Sequence, residues 1–159
     1  MTTLYGLAPV IDARARTLIL GSFPSAASLA AGQYYAHRQN QFWRILGSLI
    51  NQPLYEMDYA SRWPHVLAAG IAIWDVYASC EREGSLDSDI RMGVANDFAQ
   101  LKALAPGLER ICFNGQTAGK LQRQLAAMGY EVLILPSTSP AYTLAFDKKL
   151  AAWKGALSL

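Results

Sequence analysis

Residues 17–43 read TLILGSFPSAASLAAGQYYAHRQNQFW, and the way this stretch divides decides the fold. Thr17-Leu18-Ile19-Leu20 is an apolar run closed by Gly21, the pattern of a strand buried on both faces. Phe23-Pro24-Ser25 ends that strand, because proline has no N–H to give a ladder. A small, polar segment follows, and then Tyr34, Tyr35, His37, Arg38, Gln39 and Asn40, all able to stack or hydrogen-bond. Phe42-Trp43 opens an apolar helical pattern. A strand whose carboxyl end empties into such a loop is where an open α/β sheet builds a ligand site.

Outward from this stretch the pattern returns three times, at 71–76 (IAIWDV), 111–113 (ICF) and 132–135 (VLIL). Helical spacing fills the intervals. One helix spans 40–51 with Asn40 as candidate N-cap, and a short one lies within 55–67. Another is capped by Asn96 and broken at Pro106-Gly107; the next runs over 116–128 with Gly129 as C-cap, and the last over 142–157. Residues 1–16 read as a lead-in, and 81–90, EREGSLDSDI, as an exposed charged loop. Continuous apolar strands alternating with helices mean a parallel sheet covered on both sides. The expected fold is α/β, a three-layer α/β/α sandwich around a four-stranded parallel sheet, in one domain over residues 1–159.

Composition narrows the function. With 52% apolar and 16% charged residues the chain is a compact globule, not a disordered tail. A net charge of +2 excludes a histone-like polycation but leaves room for a local basic face. Cys80 and Cys112 form no C-x-x-C spacing and read as reduced, buried thiols; two cysteines hold no iron–sulfur cluster. His37 and His65 are too few for a histidine-rich metal site. There is no G-x-S-x-G, no P-loop, no G-x-G-x-x-G and no H-E-x-x-H. Without a charged leader or an 18-residue apolar span, a cytoplasmic protein free of membranes is expected.

All four strands exit into polar loops: GSFPS, WDVYASCERE, FNGQ and LPSTSPA. In a parallel sheet these exits share one edge, so Phe23, Asn40, Asp75, Asn114 and Ser137 should converge. Singly, each has a plain role. Asn40 either caps its helix or serves a site, and Asn114 before Gly115 is either a turn dipeptide or a site residue. Tyr34, Tyr35 and Trp74 are ordinary core aromatics unless the site uses them, and His37 an ordinary surface histidine. Asp75 is harder to dismiss, because a carboxylate beside a core needs partners.

Together, GSFPS…YYAHRQNQFW, GIAIWDVYASCEREGSLDSDI, FNGQTA and LPSTSPA resemble the uracil-DNA glycosylase superfamily, closest to its hypoxanthine-DNA (deoxyinosine) glycosylase branch. The superfamily's fold, a four-stranded parallel sheet between helices, agrees with the pattern above. Its first motif, glycine–x–Asp/Asn–Pro, corresponds to Gly21-Ser22-Phe23-Pro24, with Phe23 where the catalytic Asp or Asn would stand. The hypoxanthine branch is similar in having Phe there, and its implied catalytic asparagine matches Asn40. Asp75 corresponds to the strand-end residue that reads the base, and Asn114 to the FNG of mismatch-specific relatives. Residues 135–141 stand where the family has its minor-groove loop, usually His-Pro-Ser or Asn-Pro-Ser; Leu135 occupies the first position, so leaving-group help from that residue is absent.

The resemblance implies a monomeric, monofunctional glycosylase that flips a deaminated base, hypoxanthine, from DNA and lets water hydrolyse its N-glycosidic bond, with no metal or cofactor. No lysine in the motif loops suggests a Schiff-base step. In this reading Phe23 and Tyr35 sandwich the base, and the Asn40 amide oxygen orients the water. His37 or Asn114 donates to the departing ring, and the Asp75 carboxylate accepts the N1–H that adenine lacks. Ser25, Ser137, Thr138 and Ser139 bind DNA, the serines by holding phosphates. A mismatch-type uracil glycosylase and an inactive DNA- or base-binding module remain as alternatives.

Overall fold

The computed structural model describes residues 2–157. Its main sheet is built from β2 (Thr17–Gly21), β3 (Ile71–Asp75), β6 (Arg110–Asn114) and β7 (Glu131–Leu135), all parallel, in the order β3-β2-β6-β7. Successive strand residues feed opposite faces. Leu18 and Leu20 join one core with Trp74, Phe113 and Phe98, while Ile19 joins another with Phe42, Trp43, Ile73 and Trp153. Two cores, one on each face, are why the strands read as unbroken apolar runs. The four expected strands and their parallel arrangement are therefore present, within one residue at their ends.

Helices cover the sheet: α1 (Ala26–Ala31), α2 (Phe42–Ile50), α3 (Tyr59–Ala68), α4 (Leu101–Leu104), α5 (Gln116–Gly119), α6 (Gln122–Ala127) and α7 (Phe146–Leu157). Several depart from expectation. The helix over 116–128 is two pieces, and α7 starts four residues late. Asn96 caps no helix. Asp97 accepts from the Ala99 N–H instead, while Asn96 Nδ2 donates to the Asp75 carbonyl at 2.8 Å. Asn40 also stands outside its helix; its Oδ1 accepts the Phe42 N–H at 2.9 Å.

A second sheet was not expected. Strands β1 (Thr3–Tyr5), β4 (Tyr77–Glu81) and β5 (Arg91–Ala95) pair antiparallel in the order β1-β4-β5. β5 is exposed along its whole length, so no apolar alternation marks it. Its consequence for the site is positional: β4 leaves directly from β3 and sends residues 82–90 back over the strand ends.

Candidate functional site

Register aligns the strand ends. Gly21 lies opposite Asp75, and Asn114 opposite Leu135. The loops beyond them enclose a cavity of about 80 Å³. All five residues expected to converge there line it, and so do Ser25, Tyr35 and His37. Gly21 makes the floor possible. A Cβ at this position would lie 2.5 Å from Asp75 Oδ1 and 2.9 Å from Tyr35 Oη, so only glycine lets both groups come so close.

Asp75 is 4% exposed, and its Oδ2 is buried without a hydrogen-bond partner among the described residues. Burial first and then the Asp87 charge lift its pKa to about 7, against the opposing Arg82 guanidinium. The expected permanent carboxylate is thus a group that exchanges between acid and anion around neutrality.

Beside it runs a closed set of hydrogen bonds. The Thr138 N–H donates to Asn114 Oδ1 (3.0 Å), and Asn114 Nδ2 donates to Thr138 Oγ1 (3.0 Å) and to Tyr35 Oη (3.2 Å). The Thr138 hydroxyl donates to Asn40 Oδ1 at 2.8 Å. This arrangement corrects three expectations. Asn114 has both amide hydrogens committed inside the protein and none left for a departing ring. Asn40 Oδ1 already accepts two hydrogen bonds, so the oxygen expected to orient water is occupied, and the amide NH₂ is what remains for the cavity. Thr138 is fully buried, which removes it from the DNA-contacting surface.

The aromatic expectation changes as well. The Tyr35 ring stacks on Phe42 at 3.9 Å between centroids, which covers one of its faces; its hydroxyl sits on the cavity floor. Burial, aided by Asp75, raises the Tyr35 pKa, so it stays a phenol. Phe23 is buried at 6% exposure on the cavity wall, with the Arg82 guanidinium 5.3 Å from its ring centre. His37 is exposed at the mouth. Its Nδ1 accepts the Gln39 N–H, which leaves the proton of the neutral ring on Nε2.

Residues 82–90, expected as a solvated loop, form part of this site. Arg82 is buried and donates to the carbonyls of Pro24 (2.6 Å) and Gly84 (2.9 Å). Ser22 Oγ donates to Asp87 Oδ1 at 2.6 Å, and the Ala26 N–H donates to Ser85 Oγ. Ser85 and Asp87 line the cavity. The sequence signals available for them were position, a few residues beyond a strand exit, and their place in the stretch 70–90 that resembles the superfamily.

Of the remaining residues expected on DNA, Ser25 caps α1, its Oγ accepting the Ser28 N–H. Ser137 Oγ accepts the Ser139 N–H and Ser139 Oγ the Ala141 N–H, so these hydroxyls shape their loop. Outside the mouth, Arg38, Gln39, Arg44, Tyr55 and Pro140 form an open groove. The thiols stay apart from all of this: Cys80 and Cys112 are free and buried, and burial pushes Cys112 up to about 12.

Residues 8–157 match the family model described as Uracil DNA glycosylase superfamily. The chain belongs to the uracil DNA glycosylase superfamily. It is 40% identical over 148 residues to a hypoxanthine DNA glycosylase of Methanosarcina barkeri, covering 93% of this chain and 94% of that one. A hypoxanthine DNA glycosylase of Methanosarcina acetivorans is equally similar, 40% over 149 residues, with 94% of each chain covered. The solution NMR structure of a candidate uracil DNA glycosylase from Methanosarcina acetivorans superposes with a TM-score of 0.90 at 38% identity, covering 98% of this chain and 97% of that one. In this chain Phe23 follows Gly21-Ser22 on the cavity wall, and Asn40, nineteen residues after Gly21, has its amide oxygen taken by Phe42 and Thr138.

Proposed function

We propose that the chain is a monofunctional DNA-deoxyinosine glycosylase: it takes hypoxanthine out of the stack and hydrolyses its N-glycosidic bond by water attack. The observation that carries this reading is Asp75, a buried carboxyl that lines the cavity at the strand ends and has one oxygen without a partner among the described residues. As carboxylate it accepts the N1–H of hypoxanthine; adenine has a bare N1 and meets an unpaired acceptor, which polar sites reject strongly. Two hypoxanthine DNA glycosylases among the relatives support the same substrate.

Bond cleavage leaves positive charge on the sugar and negative charge on the base. Donors placed before the charge develops lower the barrier most. In this reading Asn40 Nδ2 and His37 Nε2 donate to the departing ring, Phe23 packs on its face, and Asn114 and Tyr35 hold the floor. Ser25, Ser137 and Ser139 meet the strand that bears the lesion, Ser25 and Ser137 by backbone N–H and hydroxyl and Ser139 by its hydroxyl. None of these roles draws on a metal or an organic cofactor. The protein works as a cytoplasmic monomer on DNA; among the described residues no helix is long and apolar enough to cross a membrane.

The test is single-turnover release of free base from duplexes carrying inosine, uracil, xanthine or adenine. Hypoxanthine is expected to leave fastest, with adenine untouched. Preferential release of uracil makes the protein a mismatch-type uracil glycosylase. Binding of inosine DNA without release of any base makes it an inactive binding module.

A further inference from the structure

We infer that Thr138 is a positioning residue whose hydroxyl, together with the Phe42 N–H, fixes which end of the Asn40 amide faces the base. The inference rests on the reading that Asn40 acts on the flipped nucleotide. Its starting point is a group with no choice of role. The backbone N–H of Thr138 only donates, so the Asn114 atom 3.0 Å from it is the oxygen. The other end of that amide, Nδ2, then faces Thr138 Oγ1 at 3.0 Å and Tyr35 Oη at 3.2 Å, and donates to both. A hydroxyl has one proton. Thr138 Oγ1 accepts from Asn114, so it directs that proton to Asn40 Oδ1, 2.8 Å away. The Phe42 N–H independently requires an oxygen at the same place, at 2.9 Å.

Each bond fixes the direction of the next, and the chain ends with the Asn40 NH₂ as the free end. Thr138 is 0% exposed, so bulk water does not stand in for its hydroxyl. The Thr138 carbonyl also accepts the Gln41 N–H at 3.0 Å, which braces the backbone beside Asn40. The loops after β2, β6 and β7 are thereby tied at one threonine. Thr138 touches neither base nor water in this reading; it acts through Asn40.

The experiment measures single-turnover release of hypoxanthine by Thr138→Val and Thr138→Ser, each in the parent and in an Asn40→Ala background, with melting curves and duplex binding alongside. Valine keeps the shape and removes the hydroxyl. Thr138→Val is expected to slow release about tenfold or more, with inosine-duplex binding within about twofold, and Thr138→Ser is expected to restore the rate. In Asn40→Ala, Thr138→Val should cost nothing further, because the group it orients is gone. Parent-like release by Thr138→Val, failure of serine to rescue, or a full additional loss in Asn40→Ala overturns the inference.

Asn40→Asp decides the same question if Thr138→Val does not fold. The two donors would hold one carboxylate oxygen and leave the other, an acceptor, in the cavity. Release should fall as far as in Asn40→Ala; parent-like release by Asn40→Asp overturns the inference. Parent-like release by folded Asn40→Ala sinks the reading of Asn40 itself, a distinct failure.

Discussion

A carboxyl group buried away from water costs stability whenever it is ionised, and Asp75, 4% exposed, is such a group. Unfolded, it ionises near 3.8; folded, burial delays this to about 7. The folded protein therefore holds an extra proton between those values. That contribution to stability is complete below 3.8 and is lost as pH rises through 7. Asp75→Asn, which never ionises, should be more stable than the parent at pH 8, by an amount on the order of 4 kcal/mol, and the gap should close towards pH 4. The same variant should release hypoxanthine more slowly, by about 1–3 kcal/mol for one lost charged hydrogen bond. Melting curves at both pH values and single-turnover rates check the pair. A variant that is not stabilised at pH 8, or that keeps the parent rate, removes Asp75 from the recognition scheme. The parent's own rate on inosine should decline as pH falls below about 7, with discrimination against adenine weakening as the protonated carboxyl becomes a donor.

Two loops carry the next predictions. Residues 82–90 are strapped to the first motif by Arg82, which bonds the Pro24 carbonyl, faces the Phe23 ring and lowers the Asp75 pKa. Arg82→Met should destabilise the protein by about 1–3 kcal/mol, from carbonyls left unpaired. It should also move the acid limb of the excision profile to higher pH, because Asp75 then ionises later. A profile that stays in place separates Arg82 from the site. The second loop, 136–141, is pinned from behind. Lys149, only 1% exposed, donates to the carbonyls of Ser139 (3.3 Å) and Tyr142 (2.7 Å). If this loop wedges the minor groove, Lys149→Met should slow excision from duplex more than from single strands, which have no partner stack to open. Equal losses on both substrates show that the loop only shapes the cavity.

For the whole molecule the question is how a chain of net charge +2 holds a polyanion. Its basic residues are not evenly spent. Arg14, Arg16 and Arg110 are paired with acids, whereas Arg38 and Arg44 share the groove outside the mouth without an acidic partner among the described residues. Arg44 lies over the Tyr55 ring at 4.3 Å, which holds its guanidinium in place. Replacing both arginines by glutamine should weaken binding to inosine and to undamaged duplex alike. The slope of log affinity against log salt should fall by about one for each arginine that meets a phosphate. An unchanged slope would place the DNA elsewhere on the surface.

Sequence by itself determined the main sheet, since strands covered on both faces read as short continuous apolar runs, as 17–20, 71–76, 111–113 and 132–135 do. It also determined which loops meet, because parallel strands bring their carboxyl ends to one edge; Phe23, Asn40, Asp75, Asn114 and Ser137 all reach the cavity for that reason. What those side chains do there was decided by tertiary structure. The direction of a hydrogen bond depends on the partner across the gap, and Asn40 and Thr138 are separated by 98 residues. Nothing near Asn40 in the chain says that its oxygen is taken, and nothing near Asp75 says that burial raises its pKa to about 7. The loop 82–90 was illegible for a related reason: its polar residues look solvated until Arg82 and Asp87 find their partners at Pro24 and Ser22, which only the folded chain brings within reach.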